Sequence, residues 1–583
     1  MIDPQFRREA GYTALGSAAF AFCFGYSILS GISNDAIPLY IVQLNGPAYY
    51  CHDWSNLLQF HWVADYTLSH FHQFPLWNPY SCGGAPMLGN PHSAFLTPFL
   101  LLEILFGPLI GVRVEIVIHI AIAFCGAYFL ARVLKISKLG AIACAGTFAG
   151  SSWYYLRMTI GHLGFMPFAY TPWVIAILFC GFENRRLMPA ALGGGLMALM
   201  LMEGGLYPFL ETALALAVLA AAISLERGSL LPLLQIAVAE VFAAGFASIK
   251  LLPGISYTGV NARIEEMPEF NNLSLLFTAL FSRDPNFISV PGGPHKYPGF
   301  WEYGAHLGVI FAVLALIGAA FYFRRAMPWT IFALTMLALA AGNFGAFSPW
   351  ALAHHLPFFA STEEPERWLI ALTLGAGVLA GFGVDSVSSI AKPWGALFAA
   401  GLIVLAIADD WLVATPNMRL VVEGDKSQIP TSASFRQSAD PDYRRWMFAA
   451  AKANLGTILC SMDIAPLTAV KGFGQEGYRG EYHLLGPGTV ALERWTPNAL
   501  RFDVDAPAPT ALVLNQNADP GWRVTSGDGD LFSQGGLLAV SIPAGKRHVE
   551  IAYRPWQFIA GVGIALSTFV AMLALRRYEH RQE

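Results

Sequence analysis

Long apolar stretches separated by short polar connections make up most of this chain of 583 residues. About twenty consecutive apolar residues form a helix that can cross the hydrocarbon core of a bilayer. The pattern therefore predicts an all-α polytopic membrane protein with one further domain near the C-terminus. The predicted spans, about twelve in number, lie at about 13–33, 112–132, 139–154, 164–182, 188–203, 207–225, 229–250, 303–323, 327–346, 366–385, 394–412 and 555–575.

One more apolar segment, at 94–108, is not predicted to cross the bilayer. It carries Pro98, Glu103 and Pro108, and it is too short to span comfortably. We expect it to form a helix that lies in the membrane interface. A span there would also place Lys135 on the wrong side of the membrane.

The distribution of Lys and Arg predicts the orientation of the helices, because cytoplasmic connections carry an excess of these residues. Here every second connection is basic, so that all of these groups fall on one side. They are Arg7 and Arg8, Arg132, Lys135 and Lys138, Arg185 and Arg186, Arg227, Arg324 and Arg325, Lys392, and Arg576, Arg577 and Arg581. Both termini are then cytoplasmic, and the loops at 34–111, 251–302, 347–365 and 413–554 lie on the periplasmic side of a bacterial inner membrane.

The last external region changes character. Leu500, Phe502 and Val504 alternate with charged residues, which is the period of a half-buried strand. Turn residues such as those at 519–521 separate further short apolar runs, and we predict a domain that resembles a β-sandwich. The predicted domains are a transmembrane module at 1–412 with the external loop 34–111, a mostly β periplasmic domain at 413–554, and a final transmembrane helix with a cytoplasmic tail at 555–583.

The composition fits this interpretation and excludes others. Charged residues make up 13% of the chain and hydrophobic residues 55%, whereas soluble proteins are about 25% charged. A soluble enzyme and a disordered protein are therefore excluded. With 35 Lys and Arg against 39 Asp and Glu, the chain has no basic excess to meet a nucleic acid. Cys51 and Cys82 could form a disulfide in the first external loop or remain unpaired, and no metal-binding cysteine spacing occurs.

The first external loop has the most unusual sequence of the chain. It contains Asp53 and Asp65, and Gly, Pro, Trp and Asn are concentrated at 75–80, 83–86 and 89–92. Such a mixture excludes a regular helix or strand, and irregular loops of this kind tend to carry function. A carboxylate in this loop would lie at the membrane face, where a lipid-borne substrate presents its headgroup.

Several of these motifs resemble one known family. The pattern formed by Asp53, 75–80, 83–86 and 90–91 is similar to the first loop of YfhO-like bacterial membrane proteins, which belong to the type C (GT-C) glycosyltransferase superfamily. The similarity continues over most of the chain, at Glu302-Tyr303, Gly308, 365–367, 519–522, 543–545 and 553–555. The resemblance implies a GT-C-like fold for the transmembrane module.

The resemblance also implies an inverting glycosyltransferase that takes a sugar from a polyprenyl-phosphate donor on the external face. The acceptor would be a glycan, a lipid or a polymer. Enzymes of this superfamily keep an essential acidic residue in the first loop, and Asp53 is the matching position. As the catalytic base it would orient the acceptor hydroxyl or accept its proton, an effect worth about 10²–10⁴-fold in rate. Asp65 is a second candidate; the structural alternatives are a loop cap for Asp53 and a solvated surface group for Asp65.

The departing lipid phosphate needs a cation near the membrane surface. Arg367 matches the family's basic position, and a guanidinium can bind phosphate bidentately. This chain departs from the family pattern, because Glu363, Glu364 and Glu366 stand beside Arg367 and a second arginine is missing. These acids would repel a phosphate unless other cations compensate. Further basic candidates, each of which could instead anchor the chain at the interface, are Arg113, Arg157, His162, His295 and Lys296.

Loop residues and helix ends complete the predicted site. The residues assigned to the substrate loop and its surroundings are Trp77, Asn78, Tyr80, Asn90, His92, Glu302 and Tyr303. Glu203 and Glu211 are predicted to mark an external turn near the same cavity. The histidines of the first loop match no zinc spacing, so no metal site and no cofactor are predicted, and a divalent metal is left open.

Two other functions stay open beside the enzymatic one, namely a transporter or flippase of lipid-linked sugars and a scaffold subunit without catalysis. A transporter needs gates on both sides of the membrane, whereas nearly all of the predicted mass outside the membrane is external. The predicted partners are therefore the lipid-linked sugar donor, an acceptor and the bilayer, without nucleic acid.

Overall fold

The computed structural model describes residues 4–29, 37–38, 41–42, 49–50, 53–260, 272–284, 300–362, 364–390, 393–420, 424–425, 429–440, 446–458 and 468–582. Within these residues the chain is mostly helical as far as Leu420, and a region of β-sheet precedes the final helix. The predicted site residues His295 and Lys296 lie outside the described residues, as does Cys51.

Nineteen α-helices occur in the described residues. They are α1 (Pro4–Leu29), α2 (Asp53–Phe71), α3 (Leu100–Phe106), α4 (Pro108–Val133), α5 (Lys138–Gly150), α6 (Ser152–Ile160), α7 (Thr171–Asn184), α8 (Met188–Met202), α9 (Leu206–Arg227), α10 (Leu231–Val260), α11 (Leu273–Phe281), α12 (Phe300–Tyr303), α13 (Val309–Phe321), α14 (Phe323–Ala340), α15 (Pro349–Ala353), α16 (Leu369–Ile390), α17 (Gly395–Leu420), α18 (Met447–Lys452) and α19 (Trp556–Arg581). Short 3-10 helices lie at Leu163–Tyr170, Phe359–Ser361 and Pro365–Trp368.

Eight helical segments of the described chain are long and apolar enough to cross a membrane, judged by length and composition. They are Glu9–Leu29, Pro108–Val133, Leu163–Asn184, Leu206–Arg227, Leu231–Thr258, Pro365–Ile390, Gly395–Thr415 and Trp556–Arg581. The multi-pass character predicted from the sequence agrees with this finding, but the count of twelve spans is not confirmed. For example, α8 and α13 are apolar but have 15 and 13 residues, which reach only about 20–23 Å of a core that is about 30 Å thick.

The predicted span at 139–154 is divided between two helices in the structure. α5 ends at Gly150, and the backbone of Ser151 is extended, with φ −56° and ψ 143°. α6 begins at the next residue. The sequence did not reveal this break, because Gly and Ser also occur inside continuous membrane helices.

Sixteen strands are described. They are β1 (Ile37–Pro38), β2 (Ile41–Val42), β3 (Tyr49–Tyr50), β4 (Trp77–Asn78), β5 (Ala85–Pro86), β6 (Gly424–Asp425), β7 (Arg436–Ser438), β8 (Leu455–Thr457), β9 (Tyr482–Leu484), β10 (Thr489–Thr496), β11 (Ala499–Ala506), β12 (Thr510–Asn517), β13 (Trp522–Ser526), β14 (Leu531–Gln534), β15 (Leu537–Ile542) and β16 (Gly545–Tyr553). Eight of them form two antiparallel four-stranded sheets, in the orders β10-β11-β16-β13 and β14-β15-β12-β9.

The two sheets share one apolar core. Leu500, Phe502 and Val504 are buried on one face of β11, as their alternation predicted, and they pack in the same cluster as Leu512 and Val540 of the other sheet. The predicted C-terminal β region is therefore present. The β-sandwich arrangement remains a prediction, which this shared core supports.

The first external loop reaches into the core of the sheets. The indole of Trp77 lies in that cluster, with its ring centroid 4.8 Å from that of Tyr553. Its Nε1 donates to Oε1 of Gln516 at 2.8 Å, and its backbone N donates to Oδ1 of Asn498 at 2.9 Å. Asn498 also donates from Nδ2 to the carbonyl of Phe74 at 2.7 Å. Residues 74–86, which we call the joint segment, therefore bind the sheets directly.

The opposite side of the joint segment binds the helices. Gln59 of α2 donates from Nε2 to the carbonyl of Tyr80 at 2.9 Å. Gly84 has φ +101°, and a Cβ there would lie 2.7 Å from the indole of Trp77, so the turn requires glycine. Cys82 is disulfide-bonded, and its partner lies outside the described residues. The joint segment is thus fixed between the helices and the sheets, and the predicted Cys51–Cys82 pairing stays a prediction.

The sheets are attached at a second place through the final helix. Strand β16 ends at Tyr553 and α19 begins three residues later. α19 packs closely on α10, where Ser248 donates from Oγ to the carbonyl of Gly561 at 2.7 Å. The β region is therefore held to the helices both by the joint segment and by α19.

Candidate functional site

A tight turn brings Asp53 and His162 together. α6 ends at Ile160, and the capping residue Gly161 has a φ of +89°, which is in the left-handed region. A Cβ on Gly161 would lie 2.5 Å from the backbone N of Trp54, so only glycine allows the turn to lie against the first turn of α2. Trp54 also donates from Nε1 to the carbonyl of Thr159 at 3.0 Å. The residue after the turn, His162, is thereby placed beside the first residue of α2.

Three side chains form a connected row at this place. Nε2 of His162 is 2.8 Å from Oδ2 of Asp53, and Nδ1 is 3.5 Å from Oε1 of Glu302. The exposed fraction of the side chain falls along the row, from 38% for Asp53 to 17% for His162 and 9% for Glu302. Asp53 is therefore the end of the row that a substrate could reach.

Two buried arginines hold Glu302. Arg367, in the 3-10 helix that leads into α16, binds it bidentately, with Nε 2.8 Å from Oε2 and Nη2 3.0 Å from Oε1. Arg157 of α6 donates from Nη1 to Oε2 at 2.9 Å and from Nη2 to the backbone carbonyl of the same residue at 3.0 Å. Parallel N–H···O bonds of this kind are both strong and geometrically specific. Glu302 is thus fixed in one orientation behind His162.

The arginines determine the charge of Glu302. Burial alone would raise the pKa of this carboxyl. Arg367, Arg157 and His162 act against burial and hold the pKa of Glu302 well below its ordinary value. Glu302 is therefore ionised at neutral pH and gives His162 a permanent anionic neighbour.

Aromatic rings enclose the same group. Cζ of Arg157 lies 4.3 Å from the ring centroid of Phe165, and Cζ of Arg367 lies 4.2 Å from that of Tyr207. Phe165 stacks on the ring of His162 at 5.6 Å. Cation–π contacts of this type stabilise desolvated guanidinium groups. Phe165 and Tyr207 therefore line the buried end of the row.

This arrangement is suited to positioning a carboxylate near a proton-bearing substrate. Asp53 lies in the first turn of α2, where negative charge also stabilises a helix, so it has a structural role as well. Nε2 of His162 is within hydrogen-bond distance of Asp53, whereas Nδ1 is buried near Glu302 without a hydrogen-bond partner among the described residues. Nη1 of Arg367 and Nε of Arg157 are buried and have no hydrogen-bond partner among the described residues. Such N–H groups favour an oxygen ligand, since leaving them unpaired costs about 1–3 kcal/mol each.

Asp65, the second predicted catalytic acid, is not part of this group. It lies twelve residues after Asp53 on the same helix α2, which corresponds to about 18 Å. Its Oδ1 accepts a hydrogen bond from Ser69 at 2.7 Å. The structure therefore gives Asp65 a local role on the surface of α2.

Of the remaining basic candidates, Arg113 is the one within the described residues, and His295 and Lys296 lie outside them. Arg113 is buried on α4, and its Nε and Nη2 have no partner within the described part of the chain.

Three of the substrate-loop candidates, Asn90, His92 and Tyr303, have local roles. In the loop before α3, Oδ1 of Asn90 accepts a hydrogen bond from the backbone N of His92 at 2.9 Å, which closes a turn. Tyr303 is buried beside Glu302.

Three substrate-loop candidates, Trp77, Asn78 and Tyr80, are buried in the joint segment. Their side chains are at most 1% exposed, so in this conformation they hold the loop rather than face a ligand. This finding corrects their expected placement. Trp and Asn in a Gly- and Pro-rich loop indicated a shaped surface, whereas the shape serves contact with the sheets.

The sequence analysis named all three members of the row, Asp53, His162 and Glu302, and both arginines, Arg157 and Arg367, but not their contacts. It assigned Arg157 and Arg367 to a phosphate, whereas each donates directly to Glu302. The aromatic lining by Phe165 and Tyr207 was not foreseen. The one available signal was the string of acids beside Arg367, which argued against a phosphate there and is consistent with a carboxylate partner for this arginine.

No protein-family model and no curated protein matches the sequence. Similar solved structures include the arabinofuranosyltransferase AftD from mycobacteria, with 16% identity and a TM-score of 0.48, over 94% of this chain and 42% of that one. Another is the oligosaccharyltransferase of Archaeoglobus fulgidus in the apo form, with 13% identity and a TM-score of 0.42, over 78% of this chain and 64% of that one. A third is AglB from Archaeoglobus fulgidus with an inhibitory peptide and a dolichol-phosphate, with 12% identity and a TM-score of 0.44, over 79% of this chain and 65% of that one.

This chain spans less than two thirds of the length of each of those three proteins. The similarities are too low to place it in a family. The resemblance to YfhO-like proteins therefore stays a prediction from the sequence motifs.

Proposed function

We propose that this chain is an integral membrane glycosyltransferase that moves a sugar from a polyprenyl-phosphate donor to an acceptor hydroxyl on the external face, with Asp53 as the catalytic base. The observation that carries the proposal is the row of Asp53, His162 and Glu302, fixed by two buried arginines next to apolar helices. A lipid carrier would reach this place from the bilayer. The sequence motifs of the first loop support the same function.

The reaction is a single displacement with inversion at the anomeric carbon. The acceptor oxygen forms the new bond to that carbon while its proton passes to a carboxylate oxygen of Asp53. The bond from the anomeric carbon to the phosphate oxygen breaks, and the electron pair leaves with the lipid phosphate. His162 keeps Asp53 oriented, so that the base is in place before the substrate arrives.

The donor phosphate is assigned to the arginine end of the site. Arg367 already binds Glu302 with Nε and Nη2, and Nη1 remains for an anionic oxygen. Arg113, Arg157, His295 and Lys296 complete the set of candidate cations from the sequence. The sugar, the acceptor and the length of the lipid are not specified by these contacts.

The test compares two aspartates of the same helix. The protein is reconstituted in liposomes with a panel of polyprenyl-phosphate sugars, and sugar transfer and donor binding are measured separately. Asp53→Asn keeps the size of the side chain but removes the base, and we expect transfer to fall by about 10²–10⁴-fold with donor binding retained. Asp65→Asn, the matched control on α2, should transfer at the wild-type rate.

Transfer by Asp53→Asn at the wild-type rate would exclude Asp53 as the base. Translocation of the labelled lipid without transfer, unchanged by Asp53→Asn, would favour a flippase instead. If the wild-type protein neither transfers the sugar nor translocates the lipid of any donor, the result would favour a scaffold.

A further inference from the structure

A second polar cluster, which shares no residue with the row of Asp53, His162 and Glu302, lies inside the helical region. Glu115 and His119 are one turn apart on α4, and Glu203 immediately follows α8. All three are at most 2% exposed. One ligand atom from each lies within 4.8 Å of the other two. Buried carboxylates require a compensating cation or proton, because an unpaired charge in an apolar interior is very costly.

The hydrogen bonds of His119 determine which ring nitrogen is free. Nδ1 lies 3.0 Å from the backbone carbonyl of Glu115, and a carbonyl only accepts, so Nδ1 carries the hydrogen. Nε2 then points at Oε2 of Glu203, 3.2 Å away. Two atoms that both present lone pairs do not face each other at this distance unless a proton or a cation lies with them.

The carboxylates of Glu203 and Glu115 also each have an oxygen atom that is available to a cation. Oε1 of Glu203 accepts hydrogen bonds from Tyr170 at 2.9 Å and from Thr97 at 3.0 Å, which leaves Oε2 for another ligand. Oε2 of Glu115 is buried and has no hydrogen-bond partner among the described residues. Metal-binding histidines and carboxylates are held by outer partners of this kind, namely a backbone carbonyl for the histidine and hydroxyl donors for the carboxylate.

Further acid lies close by. Glu103 of α3 pairs with His61 of α2, with Nδ1 2.7 Å from Oε1. Oε2 of Glu103 is buried and has no hydrogen-bond partner in the described part of the chain. Glu103 and His61 both act electrostatically on Glu115. Three carboxylates and two imidazoles are thus buried in this part of the helical region, with the ring of Phe99 4.9 Å from that of His119.

We propose that Glu115, His119 and Glu203 bind one divalent first-row transition-metal ion, such as Zn²⁺ or Mn²⁺. One imidazole and two carboxylates are a ligand set that these ions accept. With bonds of about 2.1 Å, tetrahedral zinc ligands lie about 3.4 Å apart. The three ligand atoms lie within 4.8 Å of one another. Each pair therefore has to approach by at most about 1.4 Å to bind a zinc ion. The ion would connect α4 to the end of α8 and, through Thr97, to the first external loop.

The sequence analysis left a divalent metal open but named none of these ligands, because Glu203 lies 84 positions from His119 along the chain. The site is separate from the row that contains Asp53, and it does not depend on the proposed enzymatic function. A structural ion here would stabilise the helical region whether or not the chain transfers a sugar.

The first experiment measures metal content. The protein is purified in detergent with a tag that lacks histidine, equilibrated with Zn²⁺ or Mn²⁺, desalted and analysed by mass spectrometry for metals. We expect one ion per chain in the wild type, loss of the ion in His119→Ala and Glu203→Gln, and retention in Glu240→Gln. Glu240 is a matched control, because it is a partly buried glutamate of α10 outside the cluster. Substoichiometric metal in the wild type would overturn the proposal.

The second experiment uses a conservative variant that is expected to fold. Tyr170→Phe removes one hydrogen bond to Glu203, and we expect the affinity for the metal to fall by about 10–100-fold in competition with a chelator. The melting temperature of the wild type should decrease on chelation and recover when Zn²⁺ is added. Unchanged affinity in Tyr170→Phe, together with a melting temperature that ignores the chelator, would show that a proton instead joins His119 and Glu203.

Discussion

At the scale of single residues, Glu302 determines the properties of the candidate site. It joins two arginines to a histidine, and that histidine contacts the only member of the row whose side chain is more than one third exposed. The loss of one charge at Glu302 would therefore be felt by the whole row.

We expect Glu302→Gln to be strongly destabilising. The variant keeps the size of the side chain but leaves Arg157 and Arg367 without their counterion, and breaking a buried pair costs about 3–5 kcal/mol. The melting temperature in detergent measures the effect. Glu550→Gln is the control, because Glu550 pairs with the exposed Arg501 of the sheets and such a pair contributes little. Equal shifts in the two variants would contradict the buried network.

The lowered pKa of Glu302 sets the pH range of this effect. Because the folded pKa lies below the ordinary value of 4.5, the stabilisation is complete above that value and is lost as the pH falls towards the folded pKa. The difference in melting temperature between the wild type and Glu302→Gln should therefore be constant from about pH 6 to 8 and shrink below about pH 4.5. A difference in melting temperature that increases as the pH falls would contradict the lowered pKa of Glu302.

The sequence was able to name residues but not their pairing. Asp53, Arg157, Glu302 and Arg367 were singled out from motifs and charge. The bonds that join Arg157 and Arg367 to Glu302 cross 145 and 65 positions of the chain, and neither hydropathy nor a loop motif carries that information. The structural role of Trp77 was missed for the same reason, since its partners lie in the distant sheets.

At the scale of elements, the turn after α6 is the decisive feature. Gly161→Ala places a methyl group 2.5 Å from the backbone of Trp54, so α6 and α2 must separate. We expect a fall in transfer rate of about 10²-fold, because a displacement of about 1 Å at a base is enough for that. The rate is measured in the liposome assay of the proposed enzyme.

Gly228→Ala is the control for this variant. Gly228 also ends a helix with a positive φ, of +59°, but no atom lies within 4 Å of a Cβ there. Both variants incur the cost of a left-handed alanine, roughly 1–2 kcal/mol, and only Gly161→Ala disturbs the site. Equal transfer rates in the two variants would show that the turn does not position His162.

Hydropathy predicted the multi-pass character and the position of several helices, because a membrane span is a long apolar run, but it did not predict their number. For instance, the predicted span at 207–225 corresponds to α9, Leu206–Arg227. The helix break at Ser151 was not predicted, because a single residue with an extended backbone does not change a hydropathy average. Strand β11 was predictable from its period of two, whereas the strands that pair with it, β10 and β16, were not.

At the scale of the whole molecule, the joint segment couples the sheets to the helices. Asn498→Ala removes three hydrogen bonds, from Leu76 N, from Trp77 N and to the carbonyl of Phe74. Unpaired buried groups cost about 1–3 kcal/mol each, so we expect faster proteolysis between the helices and the sheets. Asn184→Ala, which loses one exposed hydrogen bond on α7, should be cut at the wild-type rate. Equal rates of proteolysis would show that the joint segment does not hold the sheets.

The two attachments of the β region, the joint segment and α19, restrict its motion. A body attached at two separate places can rotate only about the line that joins them, and the contact of Trp495 with Phe71 of α2, with ring centroids 5.9 Å apart, limits even that rotation. A large rotation of the β region would require either the joint segment or α19 to separate from the helices. In the proposed enzyme, the acceptor's own flexibility, rather than a large rotation of the β region, would then have to bring the hydroxyl to Asp53.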